Sequence, residues 1–191
     1  MTESSKYQPV AVPFARPFED LSSTELVHYG AWFHDVAPAR VQELTRAVTT
    51  TPGFESWLPD NTPASLGMLS RWFAGQAELR QLTPTEVGRL TAAAHIPGTV
   101  PQTDLTERTY SLAFDIGMYF SQVALSSIPG VRWTQQCDER RDADFGQPVL
   151  IGFGRSSLNP VRIARVHARR LLDGKPSDLQ DVLGVWAKLR R

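Results

Sequence analysis

The chain has 191 residues, 41% of them hydrophobic and 21% charged, with a formal net charge of zero. That composition excludes an intrinsically disordered chain, and a single cysteine, Cys137, excludes an intrachain disulfide framework. The length fits one domain, no apolar run approaches the ~20 residues of a membrane span, and MTESSKYQPV lacks the basic and apolar segments of a secretion signal, so a cytoplasmic protein is expected.

The zero charge hides a polarity. Residues 1–60 carry eight acids and four basic side chains, whereas residues 131–191 carry seven acids and twelve basic ones. Such a dipole can orient a charged partner, but a neutral whole argues against non-specific coating of nucleic acid.

Residues 1–20 contain Pro9, Pro13 and Pro17 and are expected to form an extended arm, leaving residues 21–191 as one domain. Ser22, Ser23 and Thr24 offer N-caps for a helix carrying Leu26, Tyr29, Trp32 and Phe33, which Pro38 is expected to interrupt before a second helix with Val41, Leu44 and Val48. A loop over 50–60 follows, then a helix opened by Thr62 and Pro63. Thr83, Pro84 and Glu86 supply an N-cap, an N1 proline and a capping-box acid for the next.

Residues 106–126, TERTYSLAFDIGMYFSQVALS, are apolar around most of a helical circumference and predict the central helix. Arg108, Ser111, Asp115 and Gln122 fall on one stripe of it, and Gly117 on another side would admit a close neighbour. After Pro129 and Gly130 the β-branched and aromatic runs 131–137 and 148–153 read as a pair of strands. Asn159 with Pro160 opens a helix ending near Gly174, and Ser177 with Gln180 is expected to cap the last one. The fold class is therefore α+β: about seven helices and a small antiparallel sheet or hairpin at residues 131–153.

Four candidate sites stand out. The charged connection DERRDADFGQ is longer than a hairpin needs, and Asp138, Glu139, Asp142 and Asp144 beside Trp133 and Phe145 combine orienting charge with buriable rings, the makings of a partner-binding surface over 138–146. The bland reading is a solvated loop that protects a sheet edge. Arg155, Arg162, Arg165 and Arg169 form an alternative phosphate-binding stripe, with Gly152 and Gly154 before a helix N-terminus, although strand-to-helix turns use glycine for geometry alone and no aromatic platform is interleaved in helix 159–172. Asp115 is a third candidate, an acid on an apolar helix, whose plain alternatives are a stripe that faces water, an ion pair with Arg108 or a hydrogen-bonded carboxylate.

The fourth is metal. His28, His34, His95 and His167 show no ligand spacing and Cys137 stands alone, so neither metal nor cofactor is expected, and Cys137 reads as a small hydrophobe.

Four blocks, ELVHYGAWF, TERTYSLAFDIGMYFSQ, DFGQPVLIGFG and LNPVRIA, resemble a family of bacterial immunity-like proteins associated with polymorphic toxin systems, over roughly Phe18 to Gly174. The resemblance implies a non-enzymatic inhibitor whose partner is a cognate toxin, and it carries no binding residues with it. No membrane partner is expected. A nucleic-acid or phosphate-ligand binder using helix 159–172 is the second reading, and an enzyme with an acid at Asp115 the third.

Overall fold

The computed structural model describes residues 7–93 and 100–189, so the first six residues of the expected arm and His95 lie outside the described residues. Among the described residues the architecture is mainly helical α+β. Six α-helices run as α1 (Ser23–Thr49), α2 (Pro63–Ala74), α3 (Pro84–Ala93), α4 (Glu107–Ser127), α5 (Pro160–Leu172) and α6 (Leu179–Lys188).

α4 is the centre, as its all-round apolarity requires. Leu112, Ala113, Ile116, Tyr119, Phe120, Val123 and Ala124 are all without solvent exposure, and the helix packs against α1, α2 and α5. Gly117 permits the closest approach: a Cβ built there would lie 2.8 Å from the Cα and N of Val161, so α5 runs against bare backbone.

The capping chemistry is largely where the sequence places it. Ser22 and Glu25 form a capping box at α1, Thr83 and Glu86 exchange the same bonds before α3, and Asn159 accepts from the Arg162 amide at α5. At α6 the cap is Asp178, which accepts from the Gln180 amide at 2.7 Å, while the Ser177 hydroxyl turns away to Nδ1 of His167 at 2.8 Å.

Pro38 does not divide α1, which continues through it for 27 residues. A proline removes one backbone bond and crowds the preceding turn. Here the inner face is buried on both sides, Leu26 and Phe33 before it and Leu44 and Val48 after it, in separate apolar clusters, and that packing holds the two halves in line.

Among the described residues, two antiparallel sheets complete the fold. β1 (Leu79–Gln81) pairs with β2 (Thr103–Leu105), a ribbon the sequence does not announce. β3 (Arg132–Gln135), β4 (Pro148–Phe153) and β5 (Ser156–Leu158) form the second sheet, with Trp133 opposite Leu150 and Leu150 opposite Leu158. Gly152, at φ +115°, lets β4 pass 2.7 Å from the Gly130 carbonyl oxygen as measured from a Cβ built on it. No helix among the described residues is long and apolar enough to cross a membrane.

Candidate functional site

The connection between β3 and β4 covers residues 136–147 and is folded as successive turns. The amides of Asp142, Phe145 and Gln147 each donate to the carbonyl three residues back at 3.0 Å, and Asp142 Oδ1 accepts from the Asp144 amide at 2.7 Å. Gly146, at φ +74°, turns the chain back toward Gln136 and lies against Phe18 and Leu26, where a Cβ would clash.

The loop is anchored by side chains as well as by its ends. Asp144 is 7% exposed, and its Oδ1 accepts from Asn159 Nδ2 at 2.7 Å and from Arg162. Phe145, 6% exposed, sits in an apolar cluster with Leu21, Leu26, Phe14 and Phe18. Gln135 Nε2 donates to the Leu26 carbonyl at 2.7 Å and the Gly146 carbonyl at 2.9 Å, and Gly30 leaves the space that its amide fills. Arg140 stacks its guanidinium over the Phe145 ring at 5.6 Å and donates to the Glu19 carbonyl at 2.8 Å.

The six residues expected to meet a partner therefore divide. Asp144 and Phe145 face inward and hold the loop. Trp133 is half-buried, with its ring edge-on to Phe33 at 5.4 Å and to His34 at 5.3 Å, where burial also holds the His34 imidazole below its ordinary pKa. Asp138, Glu139 and Asp142 are exposed, and Asp142 is also the acceptor that shapes the turn.

Arg140 brings the arm's end to this loop. Asp138 and Arg140 line a hollow of about 310 Å³ with Val27, Cys137 and Phe145 among others, and the Glu19 carbonyl that Arg140 bonds belongs to a 3-10 turn carrying exposed Glu19 and Asp20. Val27 is 68% exposed, a large apolar side chain beside exposed acids. Cys137 is exposed and not a core residue; partial burial and the neighbouring Asp138 raise its thiol pKa.

The arginine stripe is largely engaged within the chain. Arg162 pairs with Asp144, Arg165 lies over the Tyr110 ring at 5.2 Å, and Arg169 reaches the Thr103 carbonyl and Asp173, both at 3.3 Å. Arg155 is exposed at the tight turn between β4 and β5, and the glycine-rich stretch that reads as a phosphate turn is this hairpin.

Asp115 has no solvent exposure and pairs with Arg40 of α1, not with Arg108 of its own helix. Arg40 Nε and Nη2 each donate at 2.7 Å, and the Tyr7 hydroxyl donates at 2.5 Å. Burial pushes the Asp115 carboxyl up to about 6 against the lowering effect of those bonds. Ser111 completes the latch, accepting from the Val10 amide at 2.7 Å and lying 2.8 Å from the Tyr7 oxygen. Arg108 instead donates to Gln76 and stands over the Tyr7 ring. Arg108, Ser111 and Asp115 of the α4 stripe are thus the socket of the N-terminal arm.

His167 is a further buried polar group. It is 1% exposed, burial lowers its pKa to about 4, and Nε2 has no hydrogen-bond partner among the described residues. No group of three histidine, cysteine, aspartate or glutamate side chains with metal-holding geometry occurs among the described residues.

No protein-family model matches the chain, and neither the curated proteins nor the solved structures contain a match.

Proposed function

We propose that the chain is an immunity-type protein that acts in the cytoplasm, binding and neutralising a cognate bacterial toxin through protein–protein contact. The observation that carries this reading is the acidic rim formed where the Glu19–Asp20 turn meets the 136–147 loop. Its backbone is fixed from beneath by Asp144, Phe145 and Gln135, so little ordering cost remains to be met on docking. Asp138, one of its outward acids, lines a hollow with the exposed Val27, which supplies apolar area while the charges speed and orient encounter. The complementary partner surface is basic.

Co-expression tests this directly. The toxin encoded beside this chain is produced with wild type and with Asp138→Lys/Glu139→Lys, both exposed positions. Growth with wild type and its loss with the folded variant support the reading. Equal protection by both removes the acidic rim, and toxicity in the presence of wild type removes the function.

A further inference from the structure

A second surface lies on α6 and does not depend on the toxin reading. The inner face of this helix is settled: Leu179 and Leu183 are buried, and Trp186 meets Phe153 edge-on at 5.2 Å. Its outer face consists of Asp181, Gly184, Val185 and Lys188, all exposed and spaced three, four and seven apart, so they share one side of the helix. Val185 is 58% exposed, and a Cβ built on Gly184 meets nothing within 4 Å. A glycine inside a helix is less favourable than an alanine. Among the described residues, no close neighbour on this face offsets that cost.

α6 also stands as a ridge between two hollows. One, of about 720 Å³, lies between α5 and α6, with Val166 and Val185 on it; the other, of about 520 Å³, lies between α6 and the segment around Pro63 and Ile128. Val166 is 51% exposed. A ridge flanked by grooves is self-complementary, because the ridge of one molecule can enter a groove of another.

We propose that this face is a two-fold interface with a second copy of the chain, in which two α6 helices cross antiparallel at Gly184 and Val185. The charge pattern selects that occupant. Asp181 and Lys188 are equidistant from the point between 184 and 185, so a two-fold axis there sets Asp181 of each copy opposite Lys188 of the other. A parallel arrangement in register would oppose like charges. Neither side chain has an ion-pair partner among the described residues, and each is available to the other copy. Gly184 at the crossing lets the backbones approach, and Val185 from each copy fills the flanking groove. Exposed ion pairs add little affinity and instead fix orientation, so the dimer is weak and its geometry specific.

Sedimentation equilibrium of the full chain, loaded from about 1 µM to about 1 mM, spans the range in which a small interface associates. The mass is expected to climb from 21.3 kDa toward twice that value. Gly184→Gln, which fits the open space of the monomer and favours the helix, is expected to stay monomeric, with circular dichroism confirming the fold. Asp181→Lys and Lys188→Asp are each expected to remain monomeric alone, since each sets like charges together, and to associate when mixed. A wild type that stays at monomer mass overturns the proposal. So does association that survives Gly184→Gln, or reversed variants that do not recover on mixing.

Discussion

Arg40 and Asp115 lie 75 positions apart and meet in a two-pronged ion pair, with only 13% of the arginine side chain and none of the aspartate exposed. Removing one partner strands the other's charge out of water, which costs about 3 to 5 kcal/mol. Asp115→Ala is therefore expected to lower the urea midpoint strongly. Arg40→Met/Asp115→Leu should recover most of the loss, because two apolar side chains leave no charge behind.

Among the contributions to the pH dependence of stability, those of two buried groups oppose each other, alongside the lowered surface carboxylates such as Glu86. His167 holds a pKa of about 4 in the fold against an ordinary 6.5, so the unfolded chain binds the proton first and stability falls as pH drops through that window. Asp115 is raised from 3.8 to about 6, so the folded chain holds its proton longer and stability falls as pH rises through that window. Their effects offset in wild type near pH 5. Asp115→Asn should uncover the histidine's contribution, a loss of about 3 kcal/mol between pH 6.5 and 4 in denaturant titrations. His167→Gln should change the slope in the opposite direction to Asp115→Asn, and a variant series with no change of slope would falsify these assignments.

Gly117→Ala forces a methyl against the Val161 backbone, where no side chain can rotate away. The α4 and α5 axes must separate, and overpacking of this kind costs about 1 to 3 kcal/mol. Melting temperature is the measurement. An unchanged value would mean that α5 can slide without loss of packing.

Two acids six residues apart in the same loop should behave differently. Asp144→Ala removes the acceptor of Asn159 and Arg162 and is expected to cost about 1 to 3 kcal/mol of stability. Asp138→Ala should leave the denaturation curve within about 0.5 kcal/mol of wild type, as surface changes do. Replacing all four loop acids together would confound anchoring with recognition, so partner-binding assays should use Asp138 and Glu139 alone.

The sequence carried local signals well. Caps at Ser22, Thr83 and Asn159, the apolar circumference of α4 and the bare flank at Gly117 all follow from short-range chemistry, and each is present in the structure. Long-range pairings were not legible. Nothing beside Asp115 in the chain points to Arg40 or Tyr7, and the bond between His167 and Ser177 competes with the capping role that spacing assigns to the serine. The 138–146 loop was legible as a feature, but which of its side chains face inward depends on α5 and the arm, elements distant in sequence. Trp133 shows the same limit, since aromatic chemistry suits a core and an interface equally.

The Tyr7 latch has a consequence for synthesis. Tyr7 reaches Asp115 across 108 positions, so it leaves the ribosome long before its acceptor has been made. At translation rates of ~5–20 residues per second, the interval is roughly 5 to 20 s. Throughout it Tyr7 can neither bond Asp115 nor shield Ser111, and the prolines at 9, 13 and 17 disfavour a helix in the waiting segment. An earlier-made part of the nascent chain thus depends on a later one, and a ribosome stalled before α4 carries an arm with no socket to enter.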